Sequence, residues 1–451
     1  MPIILILFLA AVLRFINLNQ SFWLDEAISA ITAQKPFPYQ WIGITKDVHP
    51  PLYYLIVHFF MQLGNFNEWF LRIPSLAFGI LTVWVVYQMT DKLFDQKTAV
   101  LASILLSTSQ FHIYYSQELR MYSLFCLLGT LSMWTFYHKK WLNLTLINII
   151  GLYTHYMFGL LFIPQLIWII HRYAKNPKII KIWILSIFLS VIAFIPWFPS
   201  FIMQLSANRS LMQALPSWKS LSSVTSWKLF PQIFLKFTLG RIDFNNKYIY
   251  LSLFIGLVIF YSFLFLNLKN KINEKVKFIL IWIFSPILSA LIISFYLPID
   301  GVWRFLFLLP PFLILVSLAI SESRFSKFFL GIILLINAFS ITLYWTMPKY
   351  QRENWKDAVA YMDKNHNPVI FVVENGFAPY QWYSKVKKQV CGPISLDDCL
   401  KSNKTYYVSY LQELFDPKDI IEAEIKSKGF SLKANKDFSG VGFVKLYENS
   451  F

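Results

Sequence analysis

Charged side chains are scarce in this chain. Asp, Glu, Lys and Arg make up 14% of its 451 residues, where soluble domains carry about 25%. Together with 56% hydrophobic residues and a mean hydropathy of +0.50, that deficit excludes an ordinary soluble domain. It predicts a mostly α, polytopic membrane protein. Acids are the scarcer sign, 24 against 41 Lys and Arg, for a formal charge of +17. The excess does not point to nucleic acid, because the cations sit in short loops between apolar runs rather than on one patch. That is the positive-inside arrangement, with anionic headgroups as a further attraction. Cysteine is nearly absent. Cys126 lies in an apolar run as a small core residue. Cys391 and Cys399 flank a short Pro-containing segment and can pair if the tail lies outside the cytosol; their spacing is not that of zinc ligands. The first apolar stretch has neither a basic lead nor a small-x-small cleavage site, so it is expected to be retained as a helix. Solenoid repeats, low-complexity linkers, Gly-rich phosphate loops, Walker patterns and nucleophilic triads are all missing.

A spanning helix needs about 20 apolar residues. Segments near 2–18, 73–90, 98–111, 121–137, 141–154, 156–171, 181–199, 248–267, 278–297, 303–320 and 327–346 qualify or nearly so, giving about eleven spans. The run 51–63 is too short to cross and follows Pro50-Pro51, so it is expected to lie in the interface. Lys92, Lys97, Lys139, Lys140, Arg172, Lys175, Lys178, Lys181, Lys269, Lys271, Lys275, Lys277, Arg324 and Lys327 then share the cytosolic side. The alternate loops, 19–72, 112–120, around 155, 200–247 and 298–303, face outward. Asp25, Glu26, His49, Glu118, His155 and Asp300 all fall on that outer face. Ionisable groups kept at a membrane border mark functional sites, and their convergence predicts one site there. From about 348 the chain is polar, with short apolar runs at 369–373, 406–408 and 441–444 and a helical pattern at Trp355, Ala358, Val359 and Met362. The expected organisation is a transmembrane domain over 1–347 and a small α/β domain over 348–451 on the outer face.

Four strings occur in order: Trp23-x-Asp25-Glu26-Ala27; Asp47-x-His49-Pro50-Pro51-Leu52-Tyr53-Tyr54; Arg72-Ile73-Pro74-Ser75; and Tyr114-Tyr115-Ser116-Gln117-Glu118-x-Arg120-Met121-Tyr122. Arg304 with Pro310-Pro311 follows, and then Glu353-Asn354-Trp355-Lys356-Asp357-Ala358. Over about residues 10–365 this set resembles the bacterial branch of the protein O-mannosyltransferase-like glycosyltransferases. The resemblance implies a GT-C membrane fold with interfacial helices and a catalytic acid in the first outer loop. It also implies a polyprenyl-phosphate-linked sugar as donor, taken from the outer leaflet of the inner or plasma membrane. The sugar, hexose or pentose, and the acceptor, whether protein, lipid or glycan, are not implied.

Transfer to a hydroxyl needs a base, contacts to the sugar and cations for the departing phosphate. Asp25 is the expected base, since desolvation at a membrane border raises a carboxyl towards a useful value. Glu26 is expected to orient it. The alternative is that both acids pair with Arg14. Glu118 is the second catalytic-site acid, for sugar or acceptor; the alternative is a local salt bridge to Arg120 or Arg72. Asp47, His49, Tyr54 and Arg120 are expected around the substrate, and Arg241 and Arg304 near the phosphate, where Arg suits bidentate binding. Snorkelling is the alternative for both arginines. No cofactor is required by this scheme, although Asp47, His49 and His155 are an alternative divalent-metal set. Two other functions fit the composition: a transporter or flippase, disfavoured by the near absence of mid-span charge, and a non-catalytic lipid-glycan binding subunit.

Overall fold

The computed structural model describes residues 2–45, 47–214, 226–244, 246–269, 271–296 and 301–450. Each of the expected apolar segments carries helix. Helix α1 (Pro2–Phe15) is followed by four short helices, α2 (Leu24–Gln34), α3 (Tyr39–Thr45), α4 (Leu52–Met61) and α5 (Glu68–Leu71), before the long α6 (Ile73–Leu93). Then come α7 (Gln96–Thr108), α8 (Gln110–Ser116), α9 (Tyr122–Tyr137), α10 (Trp141–Leu152), α11 (Phe162–Tyr173), α12 (Pro177–Phe194) and α13 (Phe198–Ala214). The bundle closes with α14 (Ser226–Leu239), α15 (Lys247–Phe265), α16 (Glu274–Ser294), α17 (Leu309–Ser321) and α18 (Ser326–Thr346). Among the described residues, six helices are long and apolar enough to cross a membrane, against the eleven or so spans expected: Ile73–Leu93, Pro177–Ser210, Lys247–Leu268, Glu274–Ser294, Val302–Ser321 and Ser326–Thr346.

Local chemistry explains these boundaries. Asp95 caps α7 by accepting the Thr98 amide at 2.8 Å. Asn273 caps α16 in the same way. Pro50 and Pro51 exclude helix before α4. The ten residues of α4 extend about 15 Å, half of a bilayer core. It buries Tyr53, Tyr54, Val57 and Met61 while Phe59 and the following Leu63 are each 70% exposed, as an interfacial helix requires. Helix α17 is buried on every side from Leu309 to Ile320 and forms the axis on which the others pack. One expectation changes. The stretch 200–247 is not simply a loop, because α13 runs to Ala214 and α14 occupies Ser226–Leu239. Leu229, Ile233 and Phe237 recur every four residues and are buried, a helical period concealed by Lys228, Pro231 and Lys236.

The Lys-rich turns gather at one end of the bundle. Lys97 donates to the Ser321 carbonyl at 2.8 Å, Lys271 pairs with Glu322 at 3.2 Å, and His171 meets Glu274 at 3.0 Å. The opposite end carries α2 to α5, residues 117–121 and the polar tail. Asp300 lies outside the described residues.

The tail builds α19 (Trp355–Met362), β1 (Val369–Phe371), α20 (Ala378–Tyr383), β2 (Val390–Cys391), α21 (Leu396–Cys399), β3 (Lys404–Val408), α22 (Gln412–Phe415), α23 (Ile420–Ser427), β4 (Phe430–Phe438) and β5 (Gly442–Asn449). Its sheet order is β2-β1-β3-β5-β4. β1 lies parallel to β2 and β3, and β5 runs antiparallel to β3 and β4. Trp355, Val359, Phe371, Tyr407 and Val444 lie in its own core, and Cys391 and Cys399 form a disulfide.

The tail is fastened to the loop over 19–72. The Tyr383 hydroxyl donates to Glu68 at 2.8 Å and accepts the Phe22 amide at 2.7 Å. Lys356 pairs with the same Glu68 at 2.8 Å, and Trp382 packs on Phe22 with ring centroids 5.6 Å apart. Tyr383→Phe removes one donor and one acceptor from buried partners. It should destabilise the protein by about 1–3 kcal/mol, read as a lowered melting temperature in detergent against wild type.

Candidate functional site

Two layers of buried charge stack beneath the end of the bundle that carries the tail. The deeper layer is structural in character. Glu26 is fully buried, and Arg72 grips it bidentately, Nε to Oε1 at 2.8 Å and Nη2 to Oε2 at 2.6 Å. The Leu119 amide adds a bond at 2.7 Å. Arg72 also donates to the carbonyls of Leu18 and Gln20, both at 2.7 Å, and of Ser21 at 3.3 Å. Every polar atom of the pair is used, which is what makes a buried ion pair tolerable. Burial works to raise the Glu26 carboxyl; Arg72 and then Arg352 overcome it and leave it below its ordinary range.

Glu118 is buried in this layer too, but its partner is neither Arg120 nor Arg72. Arg352, from the chain leading into α19, reaches it at 3.0 Å across 234 residues and donates to the Tyr114 carbonyl at 3.1 Å. The Tyr114 ring carries two guanidiniums, Arg352 at 3.8 Å and Arg241 at 4.3 Å from its centroid. Arg241 therefore stands beside Glu118 rather than beside Asp25. Arg14 pairs with neither Asp25 nor Glu26. It is fixed among Ala10 O at 3.0 Å, Ser107 O at 3.1 Å, Ser116 Oγ at 3.2 Å and His112 Nδ1 at 2.6 Å.

The upper layer surrounds Asp25 on the first turn of α2. Its side chain is 36% exposed, and Arg120 lies 3.6 Å from Oδ2. Arg120 also donates to the Asp25 carbonyl at 3.3 Å and to Ser29 Oγ at 3.0 Å, and stands 4.0 Å from Asp47. Asp47 in turn accepts the Tyr54 hydroxyl and, at 2.6 Å, the Val48 amide. Desolvation pushes the Asp25 carboxyl up; Arg120 and Arg304 oppose it, and Asp47 and Glu26 add to it. The net shift is upward.

Beside this cluster, His49 and His155 face each other with ring centroids 5.5 Å apart. His155 stacks on Phe125 at 4.8 Å. Burial, helped by Arg304 and Arg120, pushes His155 down to about 3, so both of its nitrogens belong to a neutral ring at pH 7. Its Nδ1 accepts the Met157 amide at 3.1 Å, which puts the proton on Nε2. That Nε2 is buried and has no hydrogen-bond partner among the described residues, an unusual state for a buried donor. His49, His155 and Arg304 line a cavity of about 460 Å³, with Gln204, Asn208 and the apolar Leu160, Phe201 and Ile293 among its other walls. Among the described residues, Asp47, His49 and His155 included, no group of three His, Cys, Asp or Glu is placed to hold an ion.

The fold thus brings Asp25, Asp47, His49, Tyr54, Arg120, His155 and Arg304 together, and sets Glu26, Glu118 and Arg241 one layer away. Arg352 is the site residue that sequence reasoning missed. It stands one position before the Glu353-Asn354-Trp355 string, the only signal available. Arg72→Ala leaves Glu26 buried and unpaired and should cost about 3–5 kcal/mol. Because the carboxyl is depressed in the folded state, this contribution is present above the ordinary carboxylate range and lost as pH falls through the depressed value. Melting curves of wild type and variant should therefore converge in acid.

Residues 48–200 match the family described as dolichyl-phosphate-mannose-protein mannosyltransferase. No curated protein matches the chain. Among solved structures, ArnT from Cupriavidus metallidurans in the apo state superposes with a TM-score of 0.62 at 10% identity, over 98% of this chain and 97% of that one. The same protein bound to undecaprenyl phosphate gives 0.60 at 9% identity, with the same 98% and 97% coverage. The oligosaccharyltransferase of Archaeoglobus fulgidus, in complex with Zn and sulfate, gives 0.52 at 12% identity over 98% of this chain and 73% of that one. At such identities the structural likeness establishes the fold, while the family match rests on the segment 48–200, which carries His49-Pro50-Pro51 and Glu118-x-Arg120. By sequence, that segment is similar to the mannosyltransferase family, and nearly the whole chain shares the polytopic GT-C fold of ArnT.

Proposed function

We propose that the protein is an inverting glycosyltransferase that moves a sugar from a polyprenyl-phosphate carrier to an acceptor hydroxyl on the outer face of the plasma membrane. The observation that carries this reading is the cavity lined by His49, His155 and Arg304. Its aliphatic and aromatic side chains suit a prenyl chain, and its two imidazoles and guanidinium suit a phosphate. The unpartnered His155 Nε2–H supplies a donor there, and the Arg304 guanidinium supplies charge. ArnT of the same fold is known bound to undecaprenyl phosphate, which supports the same class of carrier here.

Asp25 takes the proton of the acceptor hydroxyl as its oxygen attacks the anomeric carbon. The new carbon–oxygen bond forms as the bond from that carbon to the phosphate oxygen breaks. The lipid phosphate departs with the electron pair, towards His49, His155 and Arg304. Arg120 holds Asp25 and Asp47 in register, and Asp47 with Tyr54 offers hydrogen bonds to the sugar. Glu26, Glu118 and Arg241 support this layer from below. The cations supply the charge compensation the step requires, so the scheme needs no cofactor. The Lys-rich end of the bundle belongs in the cytosol under the positive-inside rule. That orientation puts the site, and the tail over 348–451, on the outer face.

The test uses the full chain in nanodiscs with a panel of polyprenyl-phosphate sugars and hydroxyl acceptors, with and without EDTA. Wild type should release free polyprenyl phosphate, and Asp25→Asn should lower that rate by about 10²–10⁴-fold with an unchanged melting temperature. Release that survives Asp25→Asn, or that stops with EDTA, would reject the mechanism. Donor binding with no release in any pairing would leave a lipid-glycan binding subunit. Because the Asp25 base must be ionised and its carboxyl is raised, the acid limb of the rate profile should fall at a pH above the ordinary carboxylate range.

A further inference from the structure

Helix α2 carries Asp25 and Glu26, yet nothing in its own neighbourhood caps it. Trp23 occupies the N-cap position and makes no side-chain cap bond. The missing acceptor comes from the other end of the chain. The Glu353 carboxylate accepts the Leu24 amide, the first of the helix. It is held for that purpose by Trp355 Nε1 at 2.8 Å and by the Tyr410 hydroxyl at 3.0 and 3.1 Å. The backbone around it is equally tied. The Glu353 carbonyl accepts Ser21 Oγ, the Trp355 amide reaches the same Oγ at 3.1 Å, and the Arg352 amide donates to Gln20 Oε1 at 2.8 Å. From behind, the turn joining β4 and β5 presses on it. Gly440 has φ +76°, and a Cβ there would meet the Glu353 Cα and Cγ at 3.0 Å; the Asn354 amide bonds the Ser439 carbonyl at 2.8 Å.

We infer that Glu353 is a positioning residue for the transfer reaction: from the tail it caps α2 and sets a second carboxylate against Asp25. An anionic cap at a helix N-terminus is favoured by the helix dipole as well as by the hydrogen bond. Here it fixes the turn that aims Asp25. The inference rests on the reading of Asp25 as the base. The groups facing Glu353 are Asp25 and the Leu24 amide on α2, Tyr410 and Trp355 on the tail, and, across an open polar cleft of about 860 Å³, Lys349, Glu413 and Asp437. Burial pushes the Glu353 carboxyl up to about 7, with Trp355, Tyr410 and the Leu24 amide pulling it down and Asp25 raising it. The charge on Asp25 thus acts on Glu353, and the two carboxyls face each other across the first turn of α2.

Glu353→Gln keeps size and a carbonyl acceptor but removes the charge. In the nanodisc assay it should lower kcat about tenfold above pH 7, where Glu353 is ionised, leave donor KM unchanged, and leave the rate on the acid side near wild type, where a protonated Glu353 and Gln are alike. Glu353→Asp should keep the wild-type shape of the profile. A wild-type kcat at every pH in Glu353→Gln would overturn the inference. The cap is also read without turnover: amide hydrogen exchange in the first turn of α2 should speed up at least tenfold in Glu353→Ala, while exchange in β3 and β5 stays as in wild type. Unchanged α2 exchange would overturn the positioning role whatever the activity. Absence of turnover in wild type, with faster α2 exchange in Glu353→Ala, would instead count against Asp25 chemistry and leave the cap standing.

Discussion

The buried Arg72–Glu26 pair is the contact on which the site depends. Two full charges have been withdrawn from water, and the cost is met because both oxygens of Glu26 and the whole guanidinium fork of Arg72 are bonded. Those bonds reach residues 18–21, the first turn of α2 and the turn before α9. Three segments that would otherwise be independent loops become one rigid platform. Asp25, the neighbour of Glu26, inherits its position from that platform. Adjacent residues on α2 lie about 100° apart, so the same helix turn points Glu26 into the platform and Asp25 towards a partly open surface.

Above the platform the electrostatics are divided. Arg120 sits between Asp25 and Asp47, which prevents two neighbouring carboxylates from simply repelling each other. Desolvation still raises Asp25, so the acid is held near charge without being neutralised by a tight pair. The longer 3.6 Å approach of Arg120 to Asp25 contrasts with the 2.6 Å grip of Arg72 on Glu26. The first geometry leaves a carboxylate available; the second does not. His49 and His155, kept neutral by burial, add hydrogen-bonding groups without adding charge.

The tail is part of this arrangement. Arg352 completes the buried layer at Glu118, and Glu353 completes the first turn of α2. Tyr383 and Lys356 fasten Glu68. Each contact satisfies a group in 19–72 or 112–120 that would otherwise be buried with fewer hydrogen bonds. The order of this end of the bundle is therefore shared between the two ends of the chain.

The sequence by itself determined the class of fold. Long apolar runs must become helices when the solvent is hydrocarbon, because no other conformation satisfies their backbone, and lysine placement then sets the ends apart. It also determined that acids, histidines and Arg120 and Arg304 share one end, since each follows or precedes a run of known length. Helix α14 escaped detection because Lys228, Pro231 and Lys236 interrupt its apolar period. Pairing was beyond reach. Nothing local says that Glu26 takes Arg72 rather than Arg14, that Glu118 takes Arg352 rather than Arg120, or that Glu353 closes α2. Adjacent acids at 25 and 26 have the same chemistry in sequence. Only the tertiary structure, by burying one under a bidentate arginine and leaving the other partly exposed beside Arg120, made them different, because the energy of a charge depends on what surrounds it.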